Sequence, residues 1–585
     1  MNLANFTSET AANGNVNPGW DFDTTWWMSE GNTRPFLRME YSTTITNAHQ
    51  LQLMAMNLGA SYTLANNIDM SELTQASGMW NISTGFVPIG NGYTTAFTGT
   101  FDGLGHIITG LYINRPATDY VGLFGYTERL SIIQNIGLLN ADITGKDYVG
   151  GLVGLQFGSI SNSWITGNIN GEYSVGGLVG YNITGAISDS HSNAAVTGAS
   201  NVGGLAGENN GTISNSYSTG NVAAGSSVGG LVGVNYGVIG NSYSTGNVTG
   251  TKYVGGLVGD YVDSGYQGIS NSYYNIDNVL INGAHYVTVG GLYAAQYQDW
   301  VNNTYKPLDI ASYGTSLSYN SGSGSYTINN AQGLKDMLAF WDRGYTFKQA
   351  SNIDLSGLPD WHLPVFDGTF DGAGYVLSNL TVNQPFNYNI GFVSVLNSGA
   401  LNNIGLNNVS VTGRERVGGL VGLNRSGTIC NSYTTGSVSG FDGVGGLVGE
   451  NDYNTISNSY SAATVSGTYN VGGLAGWAYG DIINSYSTGN VSGIDGVGGL
   501  VGGLGGTISN SYSTGAVSGV TKSVGGLVGY LYHGTVTNSF WDITTSGWTT
   551  SAGGTGMTTA DFINKANFTS ATAANGNVNP SWDFD

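Results

Sequence analysis

The chain has 585 residues, of which 40 % are hydrophobic, only 9 % are charged and 96 are glycine. This hydrophobic share excludes a disordered chain, since disorder combines low hydrophobicity with high net charge. The net charge is −21, and the 15 lysines and arginines are scattered. Nucleic acid and anionic membranes are therefore excluded as main partners, because both require clustered cations. No apolar run is long enough to predict insertion into a membrane.

The first residues of the chain return at its other end. Residues 2–23, NLANFTSETAANGNVNPGWDFD, reappear at 564–585 as NKANFTSATAANGNVNPSWDFD, with three differences. Such near-identity predicts that the sequence is an excerpt from a longer array of similar units. The missing signal peptide at the N-terminus then carries no information about secretion.

Between these ends, two modules follow the same plan. Each opens with a helix-like stretch, residues 46–58 and 329–341, in which Asn or Thr stands at the N-cap position. Each continues with a Phe-Asp-Gly turn followed by alternating apolar and polar residues. We place the end of a preceding linker at 1–40, module 1 at 41–288, a linker at 289–324, module 2 at 325–543, and a linker to a next unit at 544–585.

Both modules then repeat the phrase VGGLVG, or VGGLAG, every 26 or 27 residues. The copies begin at Val149, Val175, Val202, Val228, Val254, Val417, Val444, Val471, Val497 and Val524. A fixed period of this length predicts a solenoid whose units bury their apolar faces against their neighbours. Twenty-six extended residues span ~85 Å, which suits one closed coil with three strands and three corners. We predict an all-β fold, a parallel β-helix (β-solenoid) of 26–27-residue coils with short capping helices.

A second phrase, G-x-I-S-N-S-Y-S-T-G-N-V-x-G, separates these copies, as in residues 211–224. Strict alternation along I-S-N-S-Y puts Ile, Asn and Tyr on one side, which we expect to face the core. The T-G-N segment is expected to form a corner, because Gly and Asn tolerate positive φ. The paired glycines of VGGLVG fit either a second corner or a bulge.

Stacked coils would align equivalent residues into ladders ~4.8 Å apart. We predict structural ladders of aromatic rings in the core and of asparagines that satisfy buried polar groups. An exposed aromatic ladder that binds carbohydrate is the alternative. The aromatic ladder comprises Trp164, His191, Tyr217, Tyr243, Tyr273, Tyr433, Tyr460, Tyr486, Tyr512 and Phe540. The asparagine ladder comprises Asn162, Asn215, Asn241, Asn431, Asn458, Asn484 and Asn510.

Catalytic chemistry has few candidates in this sequence. The six histidines are isolated and no H-E-x-x-H zinc site is present. Asp102 and Asp371, each in a T-F-D-G turn, are the nearest match to the acidic sites of β-helix polysaccharide lyases and hydrolases, but we expect them to be turn formers. The segment 414–416, Arg-Glu-Arg, is expected to be a solvated corner, and Cys430 to replace a repeat serine. We predict no catalytic residues, no metal site and no cofactor.

The repeat phrase resembles the GLUG motif, named for its Gly-Leu-x-Gly core. Proteins that carry it resemble filamentous-haemagglutinin-type bacterial surface adhesins, and related repeats occur in some bacterial IgA-cleaving metalloproteases. The resemblance implies a right-handed parallel β-helix that is secreted to the bacterial cell surface. It supplies no catalytic residues.

These observations predict a structural or adhesive segment of a large secreted surface adhesin, without enzyme activity. Its partners would be glycans, extracellular matrix, host or neighbouring-cell surfaces, and neighbouring modules of the same array. It would act as a stiff stalk, and tandem coils would multiply weak contacts. The alternative is a β-helix carbohydrate-active enzyme, a polysaccharide lyase or hydrolase.

Overall fold

The computed structural model describes residues 2–260 and 268–584. The chain forms two compact units, Met1–Pro307 and Leu308–Asp585. Both are β-solenoids whose strands pair in parallel from coil to coil, with about 16 coils in total. The prediction of an all-β solenoid is confirmed.

Each regular coil contributes strands to four sheets, which we number along the chain. In one coil of unit 1, sheet 1 contains Thr212–Ser214, sheet 2 contains Tyr217–Ser218 and Val222–Ala223, sheet 3 contains Ser226–Gly229, and sheet 4 contains Val232–Asn235. The expectation of three strands in a coil is wrong, because the glycine-rich phrase spans two strands. The matching coil of unit 2 contains Thr507–Ser509, Tyr512–Ser513, Val517–Ser518, Val524–Gly525 and Val528–Leu531.

Short helices lie at the beginning of each solenoid. The side chain of Asn47 accepts from Gln50 N at the start of helix Ala48–Leu53, and Asn330 similarly caps helix Ala331–Met337. The other helices of the described residues are Ala4–Thr7, Ala294–Asn302, Ile543–Ser546, Thr559–Phe562 and Ala566–Thr569. Across residues 2–260 and 268–584, every helix is too short to cross a lipid bilayer.

The paired glycines of the repeat phrase form a corner between sheets 3 and 4. The chain turns at Gly230 and Leu231, and the Leu231 side chain is fully buried. A Cβ atom on Gly230 would lie 2.1 Å from the carbonyl oxygen of Gly256 in the next coil. Glycine is therefore required here for the close approach of neighbouring coils.

A left-handed asparagine forms the corner between sheets 1 and 2. Asn215 has φ of 50°, a conformation that asparagine adopts more readily than most residues. This residue interrupts the strand alternation, so Ile213 and Ser216 both point inward whereas Tyr217 points outward. The prediction that the rings and these asparagines share the core with isoleucine is therefore wrong. Equivalent left-handed residues are Asn135, Asn162, Asp189, Asn241, Asn271, Asn403, Asn431, Asn458, Asn484, Asn510 and Asn538.

The T-G-N segment is not a corner, as we had expected from its composition. The strand Trp164–Asn170 runs straight through it within sheet 2, and Tyr433–Ser439 and Tyr460–Ser466 run through the equivalent positions, which read T-G-S and A-A-T. In the coil of Tyr217–Ser218 and Val222–Ala223 the chain bends at Gly220 but remains in the same sheet. The glycine serves close approach instead, since a Cβ atom on Gly220 would lie 1.8 Å from the carbonyl oxygen of Ala194.

Behind each asparagine corner, a serine hydroxyl links adjacent coils. Ser216 Oγ accepts from Ser190 N at 3.2 Å and donates to Ser214 O at 2.7 Å. The side chain is 1 % exposed, so its hydroxyl satisfies two backbone groups that water does not reach. This column contains Ser163, Ser190, Ser242 and Ser272 in unit 1, and the equivalent column of unit 2 contains Ser432, Ser459, Ser485, Ser511 and Ser539.

A buried column of amides closes sheet 4. Asn182 Nδ2 donates to Asn209 Oδ1 at 2.7 Å, and Asn209 Nδ2 donates to Asn235 Oδ1 at 2.8 Å. Asn424 and Asn451 form the equivalent bond in unit 2 at 2.6 Å. These side chains are 0 % exposed. The sequence predicted a buried asparagine ladder within the I-S-N-S-Y phrase. The buried ladder instead lies at these residues, which come just before that phrase in each coil.

We predict that Ser216→Ala lowers the free energy of unfolding by about 1–3 kcal/mol, because the buried Ser190 N–H loses its acceptor. Urea unfolding followed by circular dichroism measures the change. Ser214→Ala is the matched control, since Ser214 is half-exposed and glycine occupies its register position in the next coil at Gly240. Equal losses in both variants would contradict the proposed role of the buried hydroxyl.

We predict that Gly230→Ala destabilises unit 1 by about 1–3 kcal/mol, because the new methyl group meets a backbone carbonyl of the next coil. Thermal unfolding monitored by circular dichroism tests this. Gly240→Ala is the control, since its added Cβ would meet only Ser270 Oγ, at 3.7 Å. A Gly230→Ala melting temperature equal to that of the control would show that the corner is not tightly packed.

Candidate binding surface

The aromatic ladder lies on the outer surface of sheet 2, where its rings are mostly half-buried. In unit 1, the centroids of His191 and Tyr217 are 4.5 Å apart and those of Tyr217 and Tyr243 are 4.7 Å apart. In unit 2, the distances along Tyr433, Tyr460, Tyr486 and Tyr512 are 4.8–4.9 Å, with nearly parallel planes. Each internal ring covers the faces of its neighbours, so the rings present mainly their edges to solvent.

Each ladder begins on a glycine. The indole of Trp164 lies over Gly137, where an added Cβ atom would come within 2.4 Å of the ring. Tyr433 lies over Gly405 in the same way in unit 2. Trp164 and His191 are more loosely stacked than the tyrosines, with centroids 6.2 Å apart.

The other end of each ladder departs from the predicted order. Tyr273 is 5 % exposed and packs edge-on against Trp300, and Phe540 is fully buried. In unit 1, Tyr305 from the segment after the solenoid stacks on Tyr243 at 5.6 Å. No repeat phrase contains Tyr305, which is why the periodicity did not reveal it.

An asparagine ladder runs beside the rings on the outer surface. Asn241 Nδ2 donates to Asn215 Oδ1 at 3.2 Å, and Asn271 Nδ2 donates to Asn241 Oδ1 at 2.7 Å. In unit 2, Asn484 donates to Asn458 and Asn510 to Asn484. We call the combined surface of rings and asparagines the amide–aromatic face.

Asp102 and Asp371 begin asparagine ladders. Asp102 Oδ1 accepts from Asn135 Nδ2 at 2.9 Å, and Asp371 Oδ1 accepts from Asn403 Nδ2 at 2.9 Å. Asp102 also accepts from Leu104 N in its own turn. Burial raises the pKa of Asp102, but these hydrogen bonds outweigh it and lower the pKa overall. Both carboxylates are occupied by structural hydrogen bonds.

Two recesses open on the amide–aromatic face of unit 1. The Tyr305 recess has a volume of about 450 Å³, and the Trp164 recess about 510 Å³. Together they offer amide groups, phenol hydroxyls and ring surface, which suit hydrogen bonding to an uncharged polar ligand. The Tyr305 recess is lined by Asn215, Tyr217, Asn241, Tyr243, Tyr305 and Lys306. The Trp164 recess is lined by Leu104, Asn135, Ile136, Asn162 and Trp164.

Known proteins share the coil sequence. The GLUG motif matches residues 171–197, 198–223 and 467–492, each the length of one coil. The chain carries GLUG repeats. The expectation from the repeat phrase is therefore confirmed at the level of the motif.

Two curated relatives resemble short parts of this GLUG-repeat chain. Halomucin of Haloquadratum walsbyi is 43 % identical over 122 residues, which cover 21 % of this chain and 1 % of halomucin. A protein of Evansella cellulosilytica, provisionally named a Gly-rich membrane protein, is 34 % identical over 158 residues, covering 21 % of this chain and 18 % of that protein. The chain thus spans a small part of each relative.

A solved structure also shares sequence with the GLUG-repeat chain. It is a Bacteroides ovatus protein, provisionally described as an immunoglobulin A1 protease. The sequences are 27 % identical, the match covers 38 % of this chain and 76 % of that one, and the TM-score is 0.32.

A charged cluster lies on the outer surface of sheets 3 and 4 among the GLUG coils of unit 2. Arg416 Nε is 2.8 Å from Glu450 Oε2, a contact between residues 34 positions apart. Burial of the Asp452 carboxyl, and to a lesser extent the nearby Glu450 carboxylate, raises the pKa of Asp452 to about 6. Trp477, in register with Glu450, stacks on Tyr479 at 5.6 Å. Arg416 therefore joins a cluster across coils, beyond the solvated corner expected for 414–416.

Cys430 occupies a serine position of the repeat phrase. It is half-buried, in register with Ser457, and its Sγ atom is 4.0 Å from Asn458 Nδ2. Among the residues that the structure describes, no group of three or more His, Cys, Asp or Glu side chains could hold a metal ion.

We predict that acidification weakens unit 1 through His191. Burial lowers the pKa of this imidazole. The unfolded state, with a pKa of about 6.5, therefore binds more protons, so stability is complete above that pH and falls as the pH drops through it. Urea unfolding at pH 7 and pH 5 is expected to show a smaller loss for His191→Tyr than for the unaltered chain. Identical losses would exclude His191 as a source of the pH dependence.

Proposed function

We propose that this chain is a non-catalytic structural and adhesive segment of a large secreted surface protein. The observation that carries the proposal is the amide–aromatic face, which repeats the same rings and amides from coil to coil. Such a surface presents many equivalent weak contacts rather than one enclosed site.

A stalk role is supported by the links between coils. Every regular coil is joined to the next by parallel strand pairing and by serine hydroxyls such as Ser216, and several coils are also joined by buried amides such as Asn209. A buried amide or hydroxyl without a partner costs free energy, so sliding one coil against another would disrupt several columns together. This arrangement favours a stiff solenoid.

An adhesive role is supported by the chemistry of the outer face. It offers side-chain amides and phenol edges in two recesses, and Lys306 is the cation at the Tyr305 recess. Sugar hydroxyls are suitable ligands, since they donate and accept hydrogen bonds and their apolar faces pack on rings. Single contacts would be weak, and repetition along an array would raise the total affinity through effective concentration.

A surface location is the third part of the proposal. One relative is named as a membrane protein, and the low charge and polar outer face suit contact with glycans or matrix of a host or neighbouring cell. Secretion would place the repeats outside the cell, where such ligands occur.

We predict that the purified chain binds immobilised polysaccharide or matrix protein weakly, and that Tyr305→Asn reduces the affinity about fivefold, the equivalent of about 1 kcal/mol from a lost ring contact. Asparagine suits the left-handed backbone at this position, where φ is 60°. Tyr173→Ser is the control, because Tyr173 is exposed on sheet 3 and Ser200 occupies its register position in the next coil. Biolayer interferometry across a polysaccharide panel measures both.

No binding to any member of the panel would reduce the proposal to the stalk role. Equal losses in Tyr305→Asn and Tyr173→Ser would exclude the Tyr305 recess. Sub-micromolar affinity of one chain for a soluble monovalent ligand would contradict the weak-contact version.

A β-helix carbohydrate-active enzyme is the second candidate, favoured by the Glu450–Asp452 pair beside Trp477. A carboxyl group whose pKa is raised, as that of Asp452 is, beside a second carboxylate is an arrangement that glycosidases use for acid–base catalysis. Release of reducing ends or unsaturated products in the binding wells tests this candidate. Turnover that is lost in Glu450→Gln would overturn the non-catalytic proposal in favour of the enzyme. Binding without product release would support the non-catalytic proposal.

A further inference from the structure

The repeated 22-residue segment adopts the same local fold at both ends of the chain. Trp20 N donates to Phe6 O at 3.0 Å, and the equivalent Trp582 N donates to Phe568 O at 2.9 Å. Asn13 Nδ2 donates to Asn5 O and Ser8 O, as Asn575 Nδ2 does to Asn567 O and Ser570 O. The segment therefore determines its own conformation in two different settings.

The C-terminal copy packs on the last coil of unit 2. Phe568 is 6 % exposed and lies 5.6 Å from Phe540 between ring centroids. Trp582 lies 5.7 Å from Phe540 and 6.2 Å from Tyr512, the last ring of the outer ladder. Met557 and Phe562 complete this apolar cluster. The segment thus covers the end of both the core and the aromatic ladder.

The N-terminal copy carries the same apolar residues without a coil end packed on them, and Trp20 stacks instead on Trp26, with ring centroids 4.7 Å apart. Pro18 is exposed whereas the equivalent Pro580 is buried, and Phe6 is half-exposed whereas Phe568 is buried. Trp20 is 38 % exposed. Two copies of one sequence with the same fold therefore differ in whether a coil end packs against them.

The three residues that differ between the two copies lie outside the surface that packs on the coil end. They are Leu3 against Lys565, Glu9 against Ala571, and Gly19 against Ser581. Lys565, Ala571 and Ser581 are all exposed in the copy that is packed. The residues that contact the coil end are Phe568 and Trp582 through their rings and Pro580 through its carbonyl oxygen, and all three are identical in residues 2–23.

We propose that residues 2–23 form a docking surface for the last coil of unit 2 from another copy of this sequence. Phe6 would pack on Phe540, and Trp20 would lie between Phe540 and Tyr512, as Phe568 and Trp582 do in unit 2. The contact is head-to-tail and takes the place of residues 564–585 of the receiving copy. It therefore joins one copy to the next once that cover is released, without closing a ring or requiring a third protein. It goes beyond the proposed function and does not depend on ligand binding.

The test uses the full chain with its own C-terminal copy released by Phe568→Ser and Trp582→Ala. This frees the coil end, so residues 2–23 of a second molecule are expected to occupy it. Sedimentation equilibrium should then give a weight-average mass at least about twice that of one chain at high concentration, whereas the unaltered chain stays near the mass of one chain. A released chain that remains monomeric while retaining its β-sheet circular dichroism would overturn the proposal.

The matched control adds Phe6→Ser and Trp20→Ala to the released chain. These changes are expected to abolish the association. Association that persists would show that residues 2–23 are not the docking surface and would equally overturn the proposal.

A trapping experiment covers the case in which the released chain does not fold. Asn538 Nδ2 lies 3.5 Å from Pro580 O, so the proposal brings Pro18 of one molecule close to Asn538 of another. Pro18→Cys with Asn538→Cys, in a Cys430→Ser background that keeps Phe568 and Trp582, should form disulfide-linked dimers and longer chains as the native cover transiently opens. Asn538→Cys alone is the control, and trapping no faster than in this control would overturn the proposal.

Discussion

The constraint that organises both units is the exact match between the sequence period and one coil. Because each coil has 26 or 27 residues, a residue of the repeat phrase lies beside its own equivalent one coil away. Ser190 N finds Ser216 Oγ in the same way as the other serines of the column, and Asn182 finds Asn209 wherever neighbouring coils both carry the asparagine. Buried polar groups therefore cost little as long as the period is kept. The same match permits glycine corners such as Gly230, where backbones approach too closely for any side chain.

The amide–aromatic face follows from this constraint and limits what it can bind. Rings repeated every 4.5–4.9 Å must lie parallel, as Tyr217 and Tyr243 do. Stacking then uses the ring faces that a sugar would otherwise contact, so the middle of a ladder offers edges and amides only. The ladder ends offer more, which is where the two recesses of unit 1 lie. In unit 2, Trp582 covers the end at Tyr512, and the same stretch of ladder is closed to ligands.

The solenoid could be predicted from the sequence because the period is visible without knowledge of side-chain direction. The direction in which each side chain points was harder to predict from the sequence, because one left-handed residue such as Asn215 changes which of its neighbours face inward. Strict alternation consequently assigned Tyr217 to the core and left the role of Ser216 unrecognised. A signal was present, since serine follows the asparagine or aspartate in every copy of the phrase. Tyr305 lies outside the periodic pattern, and the Glu450–Asp452 pair meets Arg416 and Trp477 only through the stacking of coils. These neighbours are therefore visible only in the folded structure.

The asparagine ladders of the amide–aromatic face have a direction. In each bond the amide nitrogen of a later coil donates to the oxygen of an earlier one, and the first oxygen belongs to a carboxylate, Asp102 or Asp371. A carboxylate accepts hydrogen bonds but has no proton to pass to a preceding coil. Asp189 restarts a ladder for the same reason, accepting from Asn215. Duplicated coils can therefore be inserted after such an aspartate without loss of a hydrogen bond, whereas an asparagine coil inserted before it would leave an amide oxygen without its donor. Duplication after an aspartate thus preserves the ladder, and the exposed Asn162, one coil before Asp189, shows that water can take the place of the missing donor.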